Sequence, residues 1–435
     1  GQIAAGRAGL ANLYGDTPRI LQEAKIAFDY LPPEDLRMRS SVAYSLGFAH
    51  LHQGAYPAAL RAFQQAAAQA AESKSWHLYV LAQIQLGYLH SVRGDAHQAA
   101  EACQQAIDLH QAPQPIMAPM IGLAYTGAAV MAWETNQLDE ALQLTATGLE
   151  LCQLVLNPQS LLSAYTTLIY VHILRAEPQP AAVRLREAQQ VVAQQPEDGW
   201  MQAMLATCTA LVQAADGQLE AAVAWLQTLS PEQTIIFDGH NATLQAYLNS
   251  VQLDVAAFVM VKWATESATA AVWHTAVQVF NTQRQKMAAA GFIYPMCKLM
   301  AVEALALTQL GKRAKAQSLI DELLLLAEPR DYVNLFTQWG RPLRELLHTA
   351  AESSPYARTL LTHFPDAPDL LLDPLTPREE EVLALIAAGL TNQQIAEQLH
   401  ITYGTTKRHV NSIYSKLGVN TRPQAILKAQ ALGLD

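Results

Sequence analysis

Charge is scarce in this chain of 435 residues: Asp, Glu, Lys and Arg together make up 15%, and aromatics only 7%. Cysteine is scarcer still. Its four members, Cys103, Cys152, Cys208 and Cys297, are scattered, with no C-x-x-C and no histidine at metal-ligand spacing. That excludes a disulfide framework and a cysteine metal site, and it reads as neutral thiols in a reducing compartment. No uninterrupted apolar run reaches the ~18 residues of a membrane span; Val255–Val261 and Leu323–Ala327 are core-length only. Nothing at the start reads as a signal peptide, so the expectation is a cytoplasmic chain with no membrane partner. A phosphate loop of the G-x-x-x-x-G-K-[ST] type is missing, because Gly311-Lys312-Arg313 lacks both the upstream glycine and the hydroxyl residue. His50, His52, His90 and His97 lie near turns, but spacing gives them no triad partners. The chain therefore reads as no enzyme, with no cofactor and no metal.

What the chain has is apolar helix-forming sequence: 51% is hydrophobic, and Ala, Leu and Gln abound. The length is too great for one compact domain. A repeat is visible at its turns: Gly15-Asp-Thr-Pro-Arg-Ile20, Gly54-Ala-Tyr-Pro-Ala-Ala59, Gly94-Asp-Ala-His-Gln-Ala99, Asn136-Gln-Leu-Asp-Glu-Ala141, Glu177-Pro-Gln-Pro-Ala-Ala182 and Gly217-Gln-Leu-Glu-Ala-Ala222. A degenerate copy follows at Glu266-Ser-Ala-Thr-Ala-Ala271 and a clear one at Gly311-Lys-Arg-Ala-Lys-Ala316. The period is roughly 40 residues, longer than the ~34 of a tetratricopeptide repeat, with the same internal logic. A small residue ends the first helix in a left-handed turn, and an alanine five positions on lets the second helix pack closely. Leu46-Gly47 and Leu86-Gly87 stand where a tetratricopeptide repeat has its own Leu-Gly pair. Trp76, Trp133, Trp200, Trp225, Trp263, Trp273 and Trp339 read first as inter-helix core and second as stacking surfaces for an effector.

The last residues, from Leu375, read LTPREEEVLALIAAGLTNQQIAEQLHITYGTTKRHVNSIYSKLGVNTRPQAILKAQALGLD. Thr376-Pro377-Arg378-Glu379 is a capping box with proline where no N–H is needed, and Thr391-Asn392-Gln393-Gln394 repeats the device. Thr402 can cap a third helix. Helical spacing puts Val382, Leu383 and Ile386, then Ile395, Ala396 and Leu399, then Val410, Ile413, Tyr414 and Leu417 on inward faces. Gly389 and Gly418 stand where helices should stop. Short helices joined by tight turns form a helix-turn-helix. On the third helix, Gly404, Lys407, Arg408, Asn411, Ser412 and Ser415 are left to face outward. Arg or Lys suits a guanine edge, Asn an adenine edge, and cations and hydroxyls suit phosphates. Between Glu397 and Asp435 lie five cations, Lys407, Arg408, Lys416, Arg422 and Lys428, and no acid. Residues 373–435 sum to zero charge, so the net −10 belongs to the preceding chain, which should repel DNA and face another partner. Beyond Pro423, Ala425, Ile426, Ala429 and Leu432 form one stripe that would build a homodimer across a two-fold axis.

This C-terminal stretch resembles the DNA-binding domain of LuxR-type regulators through L-T-x-R-E-x-E-V-L, A-x-G-x-x-N-x-x-I-A-x-x-L and T-x-K-x-H-V-x-x-I-x-x-K-L-G-V-x-x-R. It departs from that pattern at Thr406, where the family usually has Val. The resemblance implies that Lys407, Arg408 and Asn411 approach bases or nearby phosphates and that the fourth helix carries the dimer contact. Thr391, Asn392, Thr405, Thr406, Ser412, Ser415 and Lys416 complete the candidate DNA-binding set. Long repeats followed by such a domain are similar to the large MalT-like regulators, as is Ala327-Glu-Pro-Arg-Asp-Tyr-Val-Asn-Leu-Phe336 with Pro342-Leu343. Members of that family carry an ATPase module of the STAND class ahead of the repeats. Its phosphate loop has no counterpart here, so the expectation is a piece of a longer protein to which ATP binding does not transfer.

The expected fold is all-α: a superhelical solenoid of about eight helix pairs followed by a four-helix LuxR-type domain. The expected boundaries are 1–362 for the repeats, 363–373 for a Pro- and Asp-rich linker and 374–435 for the DNA-binding domain. The expected function is a sequence-specific transcription regulator that binds double-stranded DNA as a dimer, with RNA polymerase as a further partner. An effector ligand or partner protein would sit in the repeat groove. The alternative is an interaction scaffold whose terminal domain contacts protein.

Overall fold

The computed structural model describes residues 1–111, 118–154, 157–229, 242–267, 270–364, 376–417, 422 and 425–426. Among them every regular element is helical. The first six pairs are α1 (Gln2–Leu13) with α2 (Thr17–Tyr30), α3 (Leu36–His52) with α4 (Tyr56–Glu72), α5 (Trp76–Arg93) with α6 (Ala96–Ile107), α7 (Ala118–Glu134) with α8 (Leu138–Gln153), α9 (Pro158–Leu174) with α10 (Pro178–Ala193), and α11 (Gly199–Ala215) with α12 (Leu219–Thr228). Then come α13 (Ala242–Ser267), α14 (Ala270–Ala290), α15 (Ile293–Gln309), α16 (Arg313–Ala327), α17 (Asn334–Thr337), α18 (Gly340–Ala350) and α19 (Pro355–Thr362). Among the described residues the C-terminal unit has α20 (Pro377–Ala387), α21 (Asn392–Gln398) and α22 (Tyr403–Leu417), with Arg422, Ala425 and Ile426 also helical.

The pairs are made by one backbone device. Gly15, Gly54, Gly94, Asn136, Ala176, Gly217 and Gly311 all have positive φ. The amide that follows each reaches back to the carbonyl five residues earlier, as in Ala55 to His50, Asp95 to His90 and Glu177 to His172. This closes the first helix and reverses the chain. The residue five beyond the turn is buried at a helix crossing: Ala59, Ala99, Ala141, Ala181, Ala222 and Ala316. The fifth copy thus starts at Ala176, not Glu177, and its crossing residue is Ala181, while Ala182 is only half-buried. An alanine in the left-handed region costs about 1–2 kcal/mol. Glu177 offsets it by binding His172 Nδ1 and Arg175 Nε, each at 2.8 Å.

Close helix approach is why small residues recur on the first helices. A Cβ on Gly47 would lie 2.4 Å from the Phe63 ring, and one on Gly122 would lie 2.7 Å from Cys152 Sγ. The degenerate seventh copy does not make a crossing of this kind. Its turn lies partly outside the described residues, and Ala271 is exposed. Instead α13 packs mainly on α11 and α12, while α14 packs on α15.

The superhelix also closes on itself. Helix α15 touches α5, α13 touches α3, and α17 touches α7. Phe292 lies against Tyr56 with ring centroids 4.7 Å apart. One apolar cluster therefore joins Val92 to residues of α13 through α19. All four cysteines are buried free thiols. Desolvation pushes Cys103, Cys152 and Cys297 up to about 12 and Cys208 up to about 11, so they stay neutral.

Candidate nucleic-acid interface

The C-terminal unit is built on its caps. Thr376 Oγ1 accepts from the Glu379 N–H at 3.2 Å, and Glu379 Oε2 accepts from the Thr376 N–H at 2.8 Å. Thr391 and Gln394 repeat the exchange at the start of α21. Thr402 Oγ1 accepts from the Thr405 N–H at 3.1 Å and caps α22. Gly389 ends α20 with φ 85°. His400 does the same for α21 with φ 53°, a stop that no glycine announced; Gly418 lies outside the described residues. The core is Val382, Leu383, Ile386, Ile395, Val410, Ile413 and Ala425, all buried. Burying each Val, Leu or Ile contributes about 1.5–3 kcal/mol, more than any single cap at about 1 kcal/mol. The core thus holds the unit together and the caps set where its helices begin.

With Val410 and Ile413 turned inward, Gly404, Lys407, Arg408 and Asn411 are exposed. Their spacing of three, four and seven residues makes one stripe along α22. Two basic side chains and one amide on this exposed face are the groups suited to base edges and phosphates. Thr405 is half-buried beside the stripe, its hydroxyl 2.8 Å from that of Thr402. Thr391 is exposed and Asn392 half-buried at the start of α21, where the Thr391 hydroxyl is held by Gln394. The side chains of Ser415 and Lys416, and residues Ala429 and Leu432, lie outside the described residues.

Three candidates stand elsewhere than expected. Thr406 is fully buried and its hydroxyl donates to the Thr402 carbonyl at 3.3 Å, so it packs in the core and not on the exposed stripe. That local bond lets a threonine occupy an apolar position. Ala425 is fully buried in the unit's own core and so is unavailable to a dimer contact; Ile426 is half-buried against the same cluster. Ser412 is half-buried and donates to Glu379 Oε1 at 2.6 Å. Arg422, counted by sequence among the cations of the recognition end, instead donates to the carbonyls of Ile386 and Leu390 and caps α20. Arg378 similarly spans to the Leu399 carbonyl at 2.7 Å. Spacing alone could not reveal these ties, since each joins residues more than twenty positions apart.

The repeats hold a second cluster, inside the superhelix. Lys298 Nζ lies 2.7 Å from Asp254 Oδ2 and 3.4 Å from Glu134 Oε1. Trp133 Nε1 donates to Glu134 Oε1 at 2.6 Å, and Tyr170 stacks on Trp133. Burial raises Glu134 to about 7, against the pull of Lys298. Burial opposes the charge on Lys298 too, but Asp254 and Glu134 outweigh it and the ammonium is held. A cavity of about 30 Å³ is lined by Tyr170, Asp254, Phe258, Lys298, Gln338 and Trp339, among others. Trp133, Trp273 and Trp339 are buried, whereas Trp76, Trp200, Trp225 and Trp263 are half-buried.

A helical-repeat body joined to a helix-turn-helix unit defines the class. The family described as "Bacterial regulatory proteins, luxR family" matches residues 373–429, and the "MalT-like TPR region" matches residues 1–353. The chain belongs to the MalT-like TPR family, and its C-terminal unit is a LuxR-type DNA-binding domain. It is 25% identical over 469 residues to the HTH-type transcriptional regulator MalT of Vibrio campbellii (strain ATCC BAA-1116), covering 99% of this chain and 49% of the relative. It is 24% identical over 463 residues to MalT of Vibrio parahaemolyticus serotype O3:K6 (strain RIMD 2210633), covering 99% of this chain and 49% of the relative. The chain thus spans about half the length of the curated relatives it matches. Among solved structures, the Rap protein complexed with competence and sporulation factor is similar in fold. Its TM-score is 0.50 at 11% identity, over 74% of this chain and 83% of that one. Homology to transcriptional regulators and a LuxR-type domain agree on the class of function. Among the described residues no helix is long and apolar enough to cross a membrane.

Proposed function

We propose that this chain is a sequence-specific DNA-binding transcription regulator whose repeats sense an effector or a partner protein. The observation that carries the reading is the exposed stripe of Gly404, Lys407, Arg408 and Asn411 on α22, opposite a buried apolar face. Arg408 and Asn411 read base edges. Lys407, Thr405, Ser415 and Lys416 hold phosphates, and the α21 start at Thr391 and Asn392 lies against the backbone. Residues 1–362 form the sensing body, 363–373 the linker and 374–435 the reader. Two readers pair through Ile426, Ala429 and Leu432 and meet half-sites about one DNA turn apart. RNA polymerase is the partner once DNA is bound.

The test is selection of duplex DNA from a random pool by the full chain at moderate salt. An enriched motif with paired half-sites, and affinity that falls steeply with salt, is the expected result. No enrichment would leave the scaffold reading in its place. Ala429→Glu should abolish cooperative occupation of the two half-sites while leaving the melting temperature nearly unchanged. Persisting cooperativity would move the dimer contact to the repeats.

A further inference from the structure

Residues 328–339 run from a 3-10 turn at Glu328–Arg330 through α17 to Trp339, and α17 packs against α7, α15 and α18. Asp331 sits in the left-handed region, φ 51°, and turns the segment inward. Tyr332, Val333, Leu335, Phe336 and Trp339 are buried there. The segment does not rest only on its sequence neighbours. The Val333 N–H donates to the Glu134 carbonyl at the end of α7, 3.2 Å away. A Cβ placed on Gly94, in the turn between α5 and α6, would fall 2.8 Å from the Tyr332 hydroxyl and 2.9 Å from Arg330 Nε. Only glycine lets those side chains come so close.

The same segment is tied to the chain leading to the DNA reader. Tyr356, at the start of α19, donates its hydroxyl to the Tyr332 carbonyl at 2.6 Å. Tyr356, Ala357 and Leu360 share one cluster with Tyr332, Val333 and Trp339. The segment therefore touches the third and fourth helix pairs on one side and the last helix of the repeat body on the other.

Two observations make the seat releasable. Gln338 and Trp339 form part of the wall of the cavity beside Asp254 and Lys298. At about 30 Å³ that cavity takes a water or two, so anything larger entering it must move them. The Tyr332 hydroxyl, Arg330 Nε and Trp339 Nε1 are buried with no hydrogen-bond partner among the described residues. Unsatisfied buried donors weaken the seated state relative to one in which they meet solvent or a ligand.

We propose that residues 328–339 are an intramolecular latch, seated across the superhelix on α7 and the α5–α6 turn, and that an effector in the groove acts by unseating it. This rests on the regulator reading above. Through Tyr356 the seated latch fixes α19, and so keeps the reader close to an acidic body; the whole net charge of −10 lies in residues 1–372. Like-charge repulsion then opposes approach to phosphates. Unseating lengthens the tether and strengthens DNA binding.

The test uses the full chain and two variants. Tyr332→Leu keeps an apolar side chain but removes the ring and hydroxyl from the seat. Tyr356→Phe removes only the hydroxyl tie to α19 and retains the packing, so it carries the test if Tyr332→Leu fails to fold. Amide exchange without DNA reads the latch, and retardation of a random-sequence duplex pool reads the coupling. Expected for Tyr332→Leu is at least tenfold faster exchange in residues 328–339, together with faster exchange at 91–96 and 132–137. Both variants should bind the pool at least threefold more tightly than the parent, with Tyr356→Phe melting as the parent does. Faster exchange confined to 328–339 would overturn the seat across the superhelix. Unchanged DNA affinity in both variants would overturn the coupling. Failure of the parent and both variants to bind DNA would overturn the regulator reading, a failure told apart because exchange is read without DNA.

Discussion

The repeat body and the DNA reader put their polar chemistry in opposite places. The reader turns Lys407, Arg408 and Asn411 to solvent and keeps its core apolar. The repeat body buries Glu134 and holds it, with Asp254, around Lys298 in the middle of its packing. An exposed cation contributes little to stability and much to recognition, whereas half-buried Lys298 ties together the helices that supply its two carboxylates. The difference separates residues whose loss should be felt in binding from those whose loss should be felt in folding.

The strongest way to test that separation is Lys298→Ala. It leaves buried Glu134 and half-buried Asp254 without their cation and should cost about 3 kcal/mol, read as a lower midpoint in urea. A loss no larger than that of a surface substitution would mean the cluster is hydrated and open. The next effect is with pH. Glu134 is raised in the folded state to about 7 from a usual 4.5. Its proton is therefore retained on folding, and the stabilisation so provided is complete below about pH 4.5 and is lost as pH rises through about 7. Glu134→Gln should flatten the stability profile across that window.

Packing changes come third. Ala99→Leu or Ala141→Leu forces a helix crossing apart and should cost about 1–3 kcal/mol. Ala271→Leu, on an exposed face, should cost almost nothing; equal costs would sink the crossing register. Within the reader, Arg408→Ala or Asn411→Ala should weaken the preferred site by about 1–3 kcal/mol and relax one base position. Lys407→Ala should instead weaken all sequences alike and reduce the salt slope. The smallest effect belongs to Thr406→Val, which swaps a buried hydroxyl for a methyl. It should leave DNA affinity unchanged, and a tenfold loss there would return Thr406 to the interface.

The parts of this fold that were legible in the sequence are those fixed by short offsets. A capping box spans three residues and a repeat turn five, so Thr376, Thr391, Gly54 and Gly94 announced themselves. The misreadings came where a side chain elsewhere decides. Ala176 turns left-handed because Glu177 is anchored by His172 and Arg175, which moved the register of that copy by one. Arg422 was counted with the cations of the recognition end because nothing in its neighbourhood names the carbonyls of Ile386 and Leu390 as its acceptors. The cluster of Glu134, Asp254 and Lys298 was invisible for the same reason: three separate helices supply it. Of the candidate DNA-binding positions, sequence could assign a face to Lys407, Arg408 and Asn411. It could not tell that Thr406, one step away, turns inward.

Glu379 bears on how such a reader can be re-engineered. Its carboxylate closes the α20 cap and also receives the Ser412 hydroxyl from the reading helix. Among the described residues no hydrogen bond ties Lys407, Arg408 or Asn411 to another helix of the unit, so these are the positions at which substitutions should leave the packing intact. Ser412 has to travel with Glu379 as a matched pair. A transplant that carries only the reading helix into another scaffold would leave that helix free to roll, keeping its letters while losing its line of sight to the bases.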